Sequence, residues 1–584
     1  MFFYDSHQAL FRSPLGALPC GGILCLRFLC DTALKVFVRT WSGIEQITPM
    51  AFDGVKTYTA EITAPDTPML WWYDFIIQTP EGIFRYGNAY DQLGGEGALY
   101  NDAVSSYQVT VYDPAYQTPV FMQHGIIYQI FPDRFFKGPI HTSCRHSEMQ
   151  LHDRWEDTPL VSPDPRSGDN LALDFFGGNL NGISEKLPYL KKLGVTILYL
   201  NPIFEARSNH RYDTGDYQTV DSLLGTDADF KNLCEKAAGL GIKILLDGVF
   251  SHTGEDSVYF NRYGTYKTSG AYQSLQSPYA SWYTFFDHPN QYKCWWNIPS
   301  LPEVNKDDPD FRRFLFDKAD GIVPQWLLKG ASGWRLDVAD ELPMPFLKEL
   351  RQTVKEQNPQ AVVLGEVWED ASNKVSYGQM RSYCLGDTLD SVMNYPLREA
   401  LISFLTGNTP AGTLVRLLRH QQEVYPAPFY YALMNLLGSH DRARIINVLS
   451  GCEFNHLSRE ERANLHLTKD QYELGVERFK KGLQILCALP GAPTLYYGDE
   501  AGMEGTADPF CRGTYPWGRE DKDLQKFVQD QFFRRNHTPV LQTGFMDISA
   551  PDDDTIRILR YIDHGVDALN QPAKNGRALL VLKR

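Results

Sequence analysis

Residues 330–341 read "GASGWRLDVADE", and they place Arg335 and Asp337 two apart within an apolar run of Trp334, Leu336 and Val338. In a strand, alternate side chains point to opposite faces, so the Arg and the Asp share one face while the apolar set packs on the other. A charged pair on a buried strand fits either a structural salt bridge or a catalytic pair, and the stretch alone leaves both open. Its neighbours decide the fold. Seven further apolar runs share the character of 333–338: "GIIYQIF" (125–131), "TILYLNP" (196–202), "IKILLDGVF" (242–250), "AVVLGEVW" (361–368), "DSVMNYP" (390–396), "YYALMNLLGSH" (430–440) and "APTLYYGDE" (492–500). Between them lie amphipathic stretches of helical spacing, such as "GISEKLPYLKKLG" (182–194) and "TDADFKNLCEKAAGLG" (226–241). Eight strands alternating with helices predict a (β/α)8 barrel over residues 121–535. After the third strand comes a long Tyr-rich segment, 252–308, an insertion of the length that usually carries function.

The flanks differ. Residues 1–120 hold "ALKVFVRTW", "KTYTAEITA" and "MLWWYDFIIQT" between Asp, Gly and Pro turns, which predicts an N-terminal β-sandwich. Residues 536–584, with "TIRILRYID" and "RALLVLKR", predict a short C-terminal β region, too brief for a full sandwich and so expected to be incomplete. The chain is therefore expected to be multidomain. Trp71 and Trp72 fit the sandwich core and a ligand platform equally well.

Composition narrows the function. A formal charge of −15 over 584 residues disfavours nucleic acid and anionic membranes as partners, both of which require positive stripes. The aromatic share of 13% suits sugar stacking. No secretion signal and no membrane span is read from the sequence, so a soluble cytoplasmic protein is expected. Ten cysteines without a CxxC pair fit reduced thiols, with Cys20, Cys25 and Cys30 read as strand packing. The patch "HTSCRHSEMQLHD" gathers His141, Cys144, His146 and His152 without a recognisable ligand spacing, so no metal site is assigned there.

In a barrel of this kind, reactive groups sit at the C-terminal ends of strands. Strand three ends in Asp247 and then His252, strand four in Arg335 and Asp337, strand five in Glu366 and Trp368, and strand seven in His440 and Asp441. Each alone fits a cap or turn; four such ends together point to chemistry. Beside Arg335, Asp337 is expected to be ionised and able to attack as a nucleophile. Glu366, with Val367 and Trp368 beside it and no neighbouring Arg or Lys in the sequence, is expected to stay protonated and serve as general acid. Asp441 supplies nearby negative charge. Two such carboxyl groups roughly 5 to 5.5 Å apart define a retaining glycosidase.

The four strand ends, "DGVFSH", "GWRLDVADE", "GEVW" and "LLGSHD", resemble the signature regions of glycoside hydrolase family 13, the α-amylase family. "LYLNPIFEARSNHRYDTGDY" and "GAPTLYYGDEAGMEGTADPFCR" resemble its neopullulanase, cyclomaltodextrinase and maltogenic amylase branch. "DSVYFNRYGTYKTSGAYQS" and "TYPWGREDKDLQ" are similar to the catalytic portion of amylopullulanases. The resemblance implies Asp337 as nucleophile, Glu366 as general acid/base and Asp441 as the third carboxylate. It implies substrate contacts from Tyr212, His252, Arg335, His440, Asp508, Arg512 and, on the acceptor side, Trp368, with Asp247 supporting them from behind. The implied activity is hydrolysis of α-1,4 glucosidic bonds, with α-1,6 bonds left open, in maltodextrins, cyclodextrins, pullulan or starch. A transglycosylase and a non-catalytic binding barrel are the alternatives.

Three positions depart from the family pattern. Ser251 stands where an Asn often contributes to a calcium site, Asn179 where the branch shows Asp, and Phe510 where "DPDCR" has Asp. The first two remove oxygen ligands that Ca²⁺ prefers, so no cofactor is expected to be required and a structural Ca²⁺ is disfavoured. The amino-terminal region resembles the starch-binding-type domain of the branch, which implies a homodimer.

Overall fold

The computed structural model describes residues 2–139, 148–161 and 172–584. His141, Cys144 and His146 lie outside the described residues. His152 is described, with its ring stacked on Phe176 at 4.0 Å and Nε2 3.1 Å from Asp174 Oδ2.

All eight predicted runs form strands of one parallel sheet. They are β1 (Ile127–Ile130), β2 (Ile197–Leu200), β3 (Lys243–Gly248), β4 (Gly333–Leu336), β5 (Val362–Gly365), β6 (Ser391–Val392), β7 (Met434–Leu436) and β8 (Ala492–Tyr496). Chain neighbours pair from β1 to β6, β8 pairs with β1, and β7 pairs with β8. The cylinder is closed between β6 and β7 by a single parallel bridge, Met393 to Met434. These strands are apolar on both faces because one face fills the barrel and the other meets helices. Ile127, Ile197, Leu245, Val362, Leu364 and Met434 fill the interior; Tyr128, Leu198, Leu246, Trp334 and Val363 pack outward.

The same alternation carries polar groups to the barrel mouth. Inward-facing Leu245 is followed two residues later by Asp247, Gly333 by Arg335 and then Asp337, and Leu364 by Glu366. Register then sets Asp247 beside Arg335 and Arg335 beside Leu364. The helices between strands are capped by local sequence. Thr226 and Asp229 form a capping box at the start of the helix Asp227–Gly239, and Asn179 caps Leu180–Leu193, which stops at Gly194 with φ 102°.

The N-terminal region is two facing sheets. Strands Ile23–Cys30 and Thr57–Thr63 lie in one, and Lys35–Trp41, Met69–Thr79 and Tyr107–Tyr112 in the other. Leu26, Phe28, Val38, Phe75 and Val109 meet between them. Trp71 belongs to this core, whereas Trp72 is half-buried on the outer face and stacks on Trp41 at 5.9 Å. That outer face meets the barrel: Gln108 Nε2 donates to Ser372 Oγ at 3.0 Å and Asn373 Nδ2 donates to Gln108 Oε1 at 2.7 Å. Beyond the barrel, Phe545–Asp552, Thr555–Ile562 and Gly576–Lys583 form an antiparallel sheet. Its Arg560 donates to Ala488 O at 2.7 Å, placing a cation at the C-terminus of the helix Lys469–Ala488.

The insertion after β3 is held by rings, to itself and to the helix Pro309–Phe316 that follows it. Trp282 lies 5.1 Å from each of Tyr259, Phe311 and Phe314, and Phe260 lies 5.0 Å from Tyr283. The excess of aromatic residues in this segment is thus largely internal packing. Among the described residues no helix is long and apolar enough to cross a membrane, and nine cysteines are free thiols.

Candidate active site

At the barrel mouth, Arg335 gathers three carboxylates. Its Nη1 lies 2.7 Å from Asp247 Oδ1 and 3.1 Å from Asp337 Oδ1, and its Nη2 2.7 Å from Glu366 Oε2. The expectation that Glu366 has no cationic neighbour is therefore corrected, because strand register brings Arg335 across from β4. Glu366 also accepts from Val338 N–H at 2.8 Å on Oε2 and from Trp368 Nε1–H at 3.1 Å on Oε1. Val338 reaches that position with φ 35° and ψ 71°. The left-handed region is strained for a β-branched side chain, and such strain collects at functional sites.

The direction of shift expected for Asp337 from Arg335 alone is corrected as well. Burial raises its pKa well above the ordinary carboxylate value; Arg335 opposes this, but Glu366, Asp247 and Asp441 add to it. One guanidinium shared among three carboxylates cannot hold all of them ionised as a dedicated partner would, so the cluster retains protons that the sequence pair alone would have shed.

Asp247 also accepts from Tyr199 Oη at 2.6 Å and from Tyr212 Oη at 2.8 Å. Neither Asp247 nor Arg335 lines the cleft, which has a volume of about 740 Å³ and is walled by Asp337, Glu366, Asp441, Tyr212, His252 and His440 among others. Both stand behind the groups that wall the cleft and hold them in place. Tyr212 stacks on His440 at 5.3 Å with planes 7° apart. His440 Nδ1 faces the Gln129 amide at 2.8 Å, and Nε2 faces Tyr212 Oη at 2.6 Å and Asp441 Oδ2 at 3.1 Å. With Tyr212 donating to Asp247, this network assigns the proton to Nε2. Burial, then Arg512 and Arg335, hold His440 well below the usual imidazole value, and burial holds His252 at about 3. Both rings are neutral donors at neutral pH.

Asp441 is tied to the opposite wall by Arg512 Nη2 at 3.4 Å, and Arg512 Nη1 lies 3.1 Å from Asp508. Burial and then Glu366 push Asp441 up to about 7, against Arg512 and Arg335. Its side chain is 32% exposed to the cleft, so water screens part of that push. A carboxyl group raised when folded binds more protons in the native state than in the unfolded one between the two pKa values. Stability therefore declines as pH rises from about 4 towards 7. Asp441→Asn removes this dependence, and its melting temperature is expected to exceed that of the wild type above pH 7, with the gap closing towards pH 4 in thermal melts.

Trp368 is braced on one face by Tyr395, 4.0 Å away with planes 5° apart, and Arg442 lies 4.4 Å from its ring. Sequence reasoning missed His210, which lines the cleft, although it sits in the quoted "SNHRYD". It also missed Val338, Glu341, Trp295, Trp296 and Tyr377, which carry no strand-end signal. Phe510 is buried beside the cleft wall.

Asn179 and Ser251 are both engaged within the protein. The Asn179 amide accepts from Gly182 N and donates to Gly138 O, holding a helix start in place, and Ser251 Oγ lies 2.8 Å from His252 Nδ1. Among the described residues no group of three His, Cys, Asp or Glu is arranged to hold a metal ion.

The model of the α-amylase catalytic domain matches residues 129–543. The chain belongs to the α-amylase family. This member is 37% identical to an amylopullulanase of Thermoanaerobacter thermohydrosulfuricus, over all of this chain and 42% of the relative. It is 31% identical to neopullulanase 2 of Thermoactinomyces vulgaris, over 81% of this chain and 72% of that one. The chain thus spans less than half the length of the amylopullulanases it matches. Among solved structures, the cyclic α-maltosyl-(1→6)-maltose hydrolase of Arthrobacter globiformis, in complex with maltose, superposes with a TM-score of 0.65 at 29% identity, covering 80% of this chain and 92% of that one.

Proposed function

We propose that this α-amylase family member is a retaining α-glucan hydrolase acting on α-1,4 bonds, and at the same centre on α-1,6 bonds, of maltodextrins, cyclodextrins, pullulan or starch. The observation that carries the reading is the meeting of Asp337, Glu366 and Asp441 on one cleft, with Asp337 and Glu366 held by a single guanidinium. In the reactive form the proton kept by the carboxylate cluster sits on Glu366 and Asp337 is ionised. In the first step an Asp337 oxygen attacks the anomeric carbon while Glu366 gives that proton to the departing glycosidic oxygen, leaving a glycosyl ester. In the second, Glu366 takes a proton from water, whose oxygen attacks the same carbon and releases Asp337. The proton returns to Glu366 and the anomeric configuration is retained. His252 and His440 wall the cleft as neutral rings whose single N–H is already directed within the protein, His252 Nε2–H to Tyr212 O at 3.1 Å and His440 Nε2–H to Tyr212 Oη and Asp441, so they shape the sugar site without adding charge.

The purified chain is to be incubated with α-, β- and γ-cyclodextrin, pullulan, soluble starch and maltotriose, with products resolved by chromatography. Panose from pullulan reports α-1,4 cleavage and maltotriose reports α-1,6 cleavage. Absence of new reducing ends from every substrate overturns the reading. The braced Trp368 platform favours transglycosylation as the second reading, since a rigid aromatic face lets sugar compete with water as acceptor. Products longer than maltotriose at early times would make it the main activity.

A further inference from the structure

A second cavity of about 480 Å³ adjoins the catalytic cleft and shares with it Trp295, Trp296, Asp340, Glu341 and Tyr377. The partition between the two is a bridge of side chains from three loops. Trp296, from the insertion after β3, donates Nε1–H to Glu341 Oε1 at 3.0 Å, and Tyr377, from the loop after β5, donates its hydroxyl to the same oxygen. Glu341 itself follows β4.

Three features set these rings apart from core packing. Trp296 is 65% and Tyr377 69% exposed, so neither stabilises the fold by burial. Both hold left-handed backbone, at φ 47° and φ 50°, a conformation with a cost for bulky residues that surrounding structure must offset. Trp296 is backed by Trp295 at 4.4 Å with planes 8° apart, and Trp295 in turn lies 5.0 Å from His252. The exposed face is thus rigid and connected to the catalytic wall.

The chemistry of the second cavity suits a neutral polyhydroxyl ligand. Its cations are already engaged: Lys293 and Lys306 lie 2.9 and 2.7 Å from Glu303, and Arg381 donates to Leu342 O and Asp340 O. Against these three cations the same lining sets Glu303, Asp307, Asp340 and Glu341, a net negative charge that disfavours an anionic ligand. Its side follows from Trp368, which the family resemblance puts on the acceptor side: Tyr377 lies on the same loop, and Lys374 of that loop pairs with both Glu369 and Asp340. Asp508 and Arg512 line the catalytic cleft but not the second cavity.

We propose that the cleft forks beyond Glu366 around the Trp296, Glu341 and Tyr377 bridge, and that the bridge and second cavity bind glucosyl units of the substrate on the acceptor side. The proposal rests on the hydrolase reading. Binding to units remote from the bond being cleaved contributes to kcat/KM only for substrates long enough to reach them. The test compares kcat/KM for maltohexaose with that for 4-nitrophenyl α-maltoside, whose leaving group ends at the first acceptor position. Trp296→Ala and Tyr377→Ala are each expected to lower this ratio about tenfold. Tyr377→Phe, which keeps the ring, is expected to hold it within a few-fold of wild type. An unaltered ratio in both alanine variants, or equal losses on the two substrates, overturns the fork while leaving the hydrolase reading intact. Wild-type protein that turns over neither compound overturns both.

Discussion

Asp337→Asn is expected to lower kcat on maltotriose by roughly 10⁴-fold or more while the protein still folds. The amide matches the carboxylate in volume but lacks the electron pair and charge needed to form a glycosyl ester. The structural cost is small, because Arg335 keeps its contacts with Asp247 at 2.7 Å and Glu366 at 2.7 Å. Burial and the neighbouring carboxylates also raise the pKa of Asp337. An ionised Asp337 therefore works against the folded state at neutral pH, and its neutral replacement is expected to melt no lower than wild type there. Two measurements check this: initial rates of glucose and maltose release, and thermal melts at pH 7. Substantial residual turnover would mean that another group attacks. A large drop in melting temperature would mean that Asp337 holds the barrel together.

The barrel was legible because its strands are apolar on both faces and end where the inward-facing series turns polar, as Leu245 gives way to Asp247 and Leu364 to Glu366. The candidate groups follow from the same alternation. What escaped depends on register and loop path. Arg335 is visible beside Asp337 in the chain, but its contacts with Asp247 and Glu366 arise only when β3, β4 and β5 are aligned, and it is burial, with Glu366 and Asp247 adding to it, that raises Asp337 where Arg335 alone would lower it. Val338 gives no hint in sequence that its backbone turns to aim an N–H at Glu366. Trp296 and Tyr377 lie 81 positions apart in the numbering and share one Glu341 oxygen. No local periodicity announces such a meeting, and the Tyr-rich segment that carries Trp296 is mostly occupied in packing on itself.

For Glu366→Gln the size of the loss should depend on the leaving group. On maltotriose, whose departing oxygen must be protonated, kcat is expected to fall roughly 10²- to 10⁴-fold. On α-maltosyl fluoride, whose fluoride departs with little proton donation, the first step is expected to lose only a few-fold. The second step still lacks its base, so fluoride should appear as a burst followed by a slow steady state. The site adds a complication that can be tested. Oε2 of Glu366 accepts from Val338 N–H and faces Arg335, while Oε1 accepts from Trp368 Nε1–H. A glutamine keeps its single carbonyl oxygen towards Val338 and Arg335, which turns its NH2 towards the indole N–H, donor against donor at a separation that is 3.1 Å in the wild type. Trp368 must then shift from its stack on Tyr395, weakening the acceptor side as well as removing the acid. Trp368→Phe in the Glu366→Gln background removes the opposing donor and keeps an aromatic face. It is expected to restore part of the transfer to maltose acceptors without restoring hydrolysis of maltotriose. Equal losses on maltotriose and maltosyl fluoride in Glu366→Gln would show that Glu366 is not the proton donor.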